Sequence, residues 1–361
     1  MLRDLTIQNY RCFKDFHIDA LARVNLIVGS NNSGKTSLLE AIYLLVNQGN
    51  PQSIVEMLSN RDEMAEWYVA QTSSIIQQRL PGYQINHIFN DRQLKAKEQI
   101  HIQSQQENPI SLQINLTPWD KDRSVAFEFV PAFALSLQYK SEDITQVKLV
   151  PVREDGVIER KSIESDFFNA STQVYSPLFL STKTLSFYQM AILWDNITLT
   201  PEEEKVVAAL QILEPDVERI SFASRPTYNS GILLKIRGQR HPIPLSSMGE
   251  GMRRLLTLAM AAVTVENGLL LVDEIETGLY YEAQTDMWRL ILQTAQRLNL
   301  QVFATTHSWD CIAAFQEALA EFEDTSIGKL FRLNMRDENI RPVAYTADEL
   351  AIAIPHSIEV R

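Results

Sequence analysis

The 361-residue chain is short of what several protein classes require. Its two cysteines, Cys12 and Cys311, stand far apart with no C-x-x-C spacing, which excludes a disulfide scaffold and a zinc knuckle. Positive charge is in deficit, with 33 Lys+Arg against 45 Asp+Glu and a formal net charge of −12. Such a chain does not coat DNA or an anionic membrane through overall charge, so any nucleic-acid contact must be a local basic patch. The longest nearly apolar stretch, Leu255 to Val265, is interrupted by Thr257 and Thr264 and reaches about half of the ~20 residues that span a bilayer. The opening MLRDLTIQNYRCF alternates apolar and polar side chains and lacks the apolar block of roughly 7–15 residues that marks a signal peptide. These absences predict a cytoplasmic protein with no membrane segment. Glycine is scarce as well, 12 residues in all. Five of them, Gly29, Gly34, Gly249, Gly251 and Gly278, fall in loops where a close backbone approach would be needed.

Hydrophobic residues make up 45% of the chain, enough for the core of one large or two modest domains. Leu5 and Ile7, then Phe16 and Ile18, predict two short alternating strands, and Val24 to Val28 is a continuous apolar run of the kind buried on both faces of a sheet. A glycine loop follows at once, and from Lys35 the apolar residues Leu38, Leu39, Ile42, Leu45 and Val46 recur at helical spacing. A helical stretch is expected around Ile54 to Ile76. ISLQINL, VAFEFV, ALSLQY and VKLVPV, between Ile110 and Val152, alternate with period two and predict an antiparallel meander. A strand is expected at Val174 to Leu180, and a helical lobe over Thr184 to Leu213, where Thr200-Pro201-Glu202-Glu203 has the signature of a helix start.

From Gly231 strands and helices alternate: strand Ile232 to Ile236, helix Gly251 to Val263, strand Leu269 to Val272, helix Tyr281 to Leu298, strand Gln301 to Ala304, and a helix after Ser308. The pattern predicts an α/β fold whose parallel sheet is built from both ends of the chain, with the meander and helical lobe inserted between them.

Gly29-Ser30-Asn31-Asn32-Ser33-Gly34-Lys35-Thr36 satisfies G-x-x-x-x-G-K-[ST] between the buried strand and the amphipathic helix. Glycines let the backbone curl round an anion, so that successive N–H groups and the helix N-terminus point at phosphate oxygens. The candidate phosphate-binding residues are therefore Gly29, Asn31, Asn32, Ser33, Gly34, Lys35, Thr36 and Ser37, with Lys35 reaching the β and γ phosphates. The Thr36 hydroxyl is a Mg²⁺ ligand in this reading. Leu269-Leu270-Leu271-Val272-Asp273-Glu274 ends an apolar strand in two acids, Asp273 to hold Mg²⁺ and Glu274 to orient or deprotonate an attacking water. Ser246-Ser247-Met248-Gly249-Glu250-Gly251 offers a second helix N-terminus stripped of bulk, and His307 follows the end of a further buried strand, Leu300 to Thr305.

Taken in order, GSNNSGKTSLLEAI, SSMGEGMRRLL, LLLVDEIETGLY and FATTHS resemble the ABC-type ATPase head of the OLD, RecF and SMC group, and LTIQNYRCFKDFHI and IEVR resemble its stand-alone AAA family ATPases. The resemblance implies a P-loop NTPase with one ABC-type head over 1–361. The helical and β-meander insertion would occupy 50–170, and the helical lobe with its lead-in to the signature loop 184–245. It implies that Ser247, Gly249 and Glu250 form the signature loop, Glu276 to Leu279 a D-loop, and His307 the switch histidine, and that Arg11 touches phosphate. The signature loop would serve ATP held by the other protomer, so that a homodimer sandwiches two ATP-Mg²⁺.

Of the Q-loop candidates, Gln173, Lys183 and Gln189, none has the family context. Only 87 residues follow Glu274, too few for the rest of the head plus a TOPRIM nuclease domain, and Asp120-Lys121-Asp122 reads as a polar turn. The expected protein is an ATPase without intrinsic nuclease, coupled to DNA or RNA handling or anti-phage defence through an effector chain. The alternative is a scaffold that binds ATP and scarcely turns it over.

Overall fold

A computed structural model of the chain describes residues 1–70, 77–94, 98–105, 107–120, 130–159, 177–223, 231–336 and 339–361. At its centre lies a six-stranded sheet in the order β11 (Leu178–Leu180), β15 (Leu269–Val272), β16 (Gln301–Thr305), β3 (Val24–Val28), β17 (Gly328–Arg336) and β18 (Asn339–Tyr345). Neighbours pair in parallel except β18, which returns antiparallel along β17. Each central strand feeds two cores. Val24, Leu26, Val28, Leu270, Val272, Val302 and Ala304 face one, whereas Ile27, Leu269, Leu271 and Phe303 face the other. Burial on both faces is why these strands read as unbroken apolar runs.

The first core is closed by α3 (Phe187–Ile197), α4 (Pro201–Leu210), α5 (Glu250–Thr264), α6 (Tyr281–Arg297) and α7 (Trp309–Leu319). The second is shared with α1 (Lys35–Val46) and α2 (Pro51–Asn60) and with the inner face of a nine-stranded antiparallel sheet. Its order is β2 (Phe13–Ile18), β1 (Leu5–Tyr10), β6 (Gln99–Ser104), β7 (Ile110–Pro118), β8 (Phe133–Lys140), β9 (Thr145–Val152), β10 (Val157–Glu159), β5 (Gln77–Gln84) and β4 (Met64–Ala70). The meander is thus continuous with the opening hairpin, because β6 pairs with β1.

Three local expectations change. The helix expected to reach Ile76 ends at Asn60, Asp62 turns through φ +56°, and β4 follows and pairs with β5. The Trp67-Tyr68-Val69 run favours an extended chain. The strand expected at Ile232 to Ile236 exists as β13 (Gly231–Ile236), but in a separate three-stranded antiparallel sheet with β12 (Val217–Ala223) and β14 (Ile243–Pro244). Its burial alternates with period two, as suits a strand covered on one face only. Hairpin β17–β18, which had no counterpart in the sequence reading, completes the edge of the six-stranded sheet. VAFEFV apart from Val130, Val174 to Ser176, Gln173 and Lys121-Asp122 lie outside the described residues. Among the described residues no helix is long and apolar enough to cross a membrane.

Candidate nucleotide site

The strand ends of β3, β15 and β16 deliver the motif residues to one edge of the sheet. Beyond Val28 the chain turns through Gly29 (φ +149°), Asn32 (φ +62°) and Gly34 (φ +93°) into α1. A side chain at Gly29 would meet Ser33 Oγ at 2.6 Å and the Leu333 carbonyl at 2.8 Å, and one at Gly34 would meet Cys12 Sγ at 2.8 Å. Gly29 and Gly34 therefore sit where the backbone turns in close contact with its neighbours and a Cβ has no room. Lys35 Nζ donates to the carbonyls of Gly29 (2.8 Å) and Ser30 (3.1 Å), folding over the loop. Partial burial pulls its ammonium below the usual lysine range, against the attraction of Asp273, Glu274 and Glu276. Among the described residues Ser33 Oγ is buried with no hydrogen-bond partner.

Thr36 Oγ1 donates to Asp273 Oδ2 at 2.9 Å, joining the loop to the acidic strand. Thr305, fully buried at the end of β16, donates to Asp273 Oδ1 (2.6 Å) and accepts from the Glu274 backbone N–H (2.8 Å). Glu274 sits in the left-handed region, φ +46°, with its side chain 41% exposed. Arg254 of α5, 7% exposed, donates through Nη2 to the carbonyls of Asp273 (2.9 Å) and Glu274 (3.0 Å) and through Nη1 to that of Ser181 (3.4 Å). Glu276 is buried. Its Oε1 accepts from Thr306 Oγ1 at 2.7 Å and lies 3.6 Å from His307 Nδ1, which stands 3.9 Å from Glu274 Oε1.

The donor set fits ATP with Mg²⁺. An unpartnered buried hydroxyl, a backbone cradle and an ammonium suit phosphate oxygens. The Thr36 hydroxyl and Asp273 carboxylate are hard oxygen ligands, and among the described residues no His, Cys, Asp or Glu cluster could hold a metal by itself. One hydroxyl and one carboxylate suit Mg²⁺, which takes few protein ligands and shares its shell with substrate phosphates.

The Ser246–Gly251 turn is placed differently. Ser246, Ser247, Gly249 and Glu250 are exposed, Gly249 takes φ +89°, and a Cβ there would meet open space. A Cβ on Gly251 would come 2.7 Å from the Gly278 carbonyl, so the turn packs against the Glu276–Leu279 segment. Glu250 accepts from Thr184 Oγ1 at 3.1 Å. Among the described residues no hydrogen bond or ion pair joins this turn to Gly29–Thr36. Arg11 is found elsewhere too. It is buried, its Nε 2.7 Å from Glu40 and its Nη1 and Nη2 on Glu63 at 2.8 and 3.1 Å. Two carboxylates thus occupy the donors that the resemblance assigned to phosphate. Arg61 is the arginine that reaches the loop's helix, donating to Ser37 Oγ at 3.2 Å and to Glu40 at 2.6 Å. Lys183 bonds Asp62 (2.7 Å), and Gln189 completes the capping box of α3 with Ser186. Thr305, Arg254 and Arg61 were missed by the sequence reading. Each acts on atoms far away in the chain, for which no local pattern exists.

The chain is similar to several known proteins. The chain is 26% identical over 387 residues to an ATP/GTP phosphatase of Helicobacter pylori, covering 97% of both. The match to the DNA replication and repair protein RecF of Enterococcus faecalis is local, 27% over 117 residues, 32% of this chain and 30% of RecF. The SMC head crystallised with the C-terminal winged-helix domain of ScpA has the same fold, with a TM-score of 0.51 at 12% identity, covering 97% of this chain and 99% of that one. So does a Pyrococcus furiosus Smc head with an extended coiled coil bound to the ScpA C-terminal domain, TM-score 0.51 at 13% identity and 99% coverage of both. The AAA ATPase domain profile matches residues 1–221 and 138–312. The chain belongs to the AAA ATPase domain family and is an ATPase with an SMC-like, ABC-type head.

Proposed function

We propose that two copies of the chain close around two ATP molecules, each contributing its Ser247–Glu250 turn to nucleotide held on the other's Gly29–Ser37 loop. The supporting observation is the exposed turn: its helix N-terminus and bare Gly249 backbone suit a phosphate, yet nothing among the described residues ties it to its own loop. Lys35 binds the β and γ phosphates, exchanging its two loop carbonyls for phosphate oxygens. Glu274 accepts a proton from water as the water oxygen bonds the γ-phosphorus, the bond to the β–γ bridging oxygen breaks, and ADP leaves. His307 lies beside Glu274 and steadies the γ-phosphate. Mg²⁺, held by Thr36 and Asp273, would supply charge neutralisation on the β and γ oxygens.

The cycle couples to nucleic-acid handling, or to defence against phages and mobile elements, through an effector chain. Partial likeness to RecF, a DNA replication and repair protein, supports the nucleic-acid branch of this reading, and likeness to an SMC head captured with a ScpA domain supports a partner chain. Glu274→Gln is expected to keep ATP affinity, lose multiple-turnover phosphate release by about 100-fold or more, and accumulate a species of twice the chain mass with ATP. Ser247→Arg is expected to prevent that species while leaving ATP on the loop. Light scattering that finds only single chains of Glu274→Gln at saturating ATP overturns the paired arrangement.

A further inference from the structure

The Glu274 backbone is held in a conformation that a residue with a Cβ rarely adopts, at φ +46°. Such a conformation is disfavoured and persists only where neighbours over-determine it. The neighbours here are identifiable. Thr305 Oγ1 takes the Glu274 N–H, the Thr305 carbonyl takes the Ile275 N–H, and the Leu180 carbonyl takes the Asp273 N–H. The two carbonyls of the bend, those of Asp273 and Glu274, converge on one nitrogen, Arg254 Nη2. That guanidinium is buried and rises from α5, the helix that the Ser247–Glu250 turn leads into. The same helix start is wedged against the segment after Glu274, through the close approach of Gly251 to the Gly278 carbonyl.

We propose that Arg254 is a positioning residue for hydrolysis. Its guanidinium clamps the left-handed bend at Asp273–Glu274, fixing where the Glu274 carboxylate stands, and makes α5 and the acidic strand end move as one body. A force on the serine turn then reaches Glu274 through this buried side chain, whose bonds are charge-assisted and about twice as strong as neutral ones, as well as through the Gly251–Gly278 packing. A second grip on the Ser181 carbonyl extends the body to the end of β11. Without the clamp the bend relaxes and the Glu274 carboxylate loses its place, while the Asp273 carboxylate keeps its bonds from Thr36 and Thr305 and with them the link to the nucleotide loop. This inference rests on the reading of Glu274 as the group that activates water.

The test is a kinetic series on the full chain: Arg254→Lys, Arg254→Gln and, as control, Glu274→Gln. The measurements are kcat and KM for ATP, ADP affinity, and the melting midpoint without nucleotide. Misplacing a catalytic group by an ångström costs about 100-fold, so Arg254→Gln is expected to lower kcat by about that factor, with KM and ADP affinity within about twofold of the parent. Arg254→Lys keeps a charged donor for the two carbonyls and is expected to recover part of kcat, which a role confined to stability would not produce. Should Arg254→Gln fail to fold, the kcat-against-KM split of Arg254→Lys alone decides. The inference is overturned if folded Arg254 variants keep parental kcat, or if KM and melting midpoint change while kcat does not. Turnover retained by Glu274→Gln overturns instead the underlying reading of Glu274. Loss of turnover there, with parental kcat in the Arg254 series, overturns the clamp alone.

Discussion

Thr305 has no role that its surroundings in the sequence would suggest, yet its hydroxyl holds both acids of the site, one by its carboxylate and one by its backbone. Thr305→Val keeps the shape and removes the bridge. It leaves the Glu274 N–H without its acceptor, which is expected to lower stability by about 1–3 kcal/mol in urea denaturation. The accompanying loss of kcat should exceed that of KM, and a variant with parental stability and turnover would show the bridge to be idle. Lys35→Ala is expected to weaken ATP binding by about 100-fold, the loss of charge-assisted bonds to phosphate, with an unchanged melting midpoint of the free protein. Tight binding retained by that variant would remove the Gly29–Ser37 loop from the site. At this scale the sequence was legible wherever chemistry and spacing coincide, as in Gly29 to Thr36 and in Asp273-Glu274 after an apolar run. It was silent on Thr305 and Arg254, whose targets, the Asp273 carboxylate and the backbone of residues 273 and 274, are brought near only by the fold.

Elements with a strong internal period were legible: α1, the Thr200-Pro201 start of α4, and β3, β15 and β16 appear where their patterns put them. The placement of β13 and of the opening hairpin was not, because strand partners are chosen by tertiary packing and not by the strand's own residues. One contact between helices lends itself to a pH test. Glu202, in the first turn of α4, accepts two bonds from Arg297 in the last turn of α6, at 2.9 and 2.8 Å, and one from Lys205. Each charge also suits the dipole of its own helix end. The Arg297 bonds hold the Glu202 carboxyl below its ordinary value of 4.5, with Lys205 adding to the effect and partial burial opposing it. A lowered folded-state value means that the pair's contribution is complete above 4.5 and is lost as pH falls through the folded value. Glu202→Gln should therefore cost about 0.5–1 kcal/mol near neutral pH, less in high salt, and less again at an acid pH below the folded-state value. An equal cost at both pH values would mean that the carboxylate's charge is not what the variant removes.

Across the whole molecule the decisive quantity is the net charge of −12, because pairing two such bodies works against their mutual repulsion. Screening shortens that repulsion to a Debye length of about 10 Å at 0.1 M salt, whereas the contacts of Lys35, Thr36 and the Ser247 turn with phosphate act at bonding distance. The ATP-held pair of Glu274→Gln should accordingly be as strong or stronger at ~200 mM than at ~50 mM monovalent salt. A contact with DNA or RNA has the opposite sign, since each neutralised phosphate releases counterions and the affinity falls steeply over the same range. Measuring pair formation by light scattering and nucleic-acid-stimulated phosphate release across that series separates the two effects in one preparation. Pairing that collapses with salt would place its energy in long-range charge attraction and not in phosphate coordination, contrary to the arrangement of exposed glycine backbone and serine hydroxyl in the 246–251 turn.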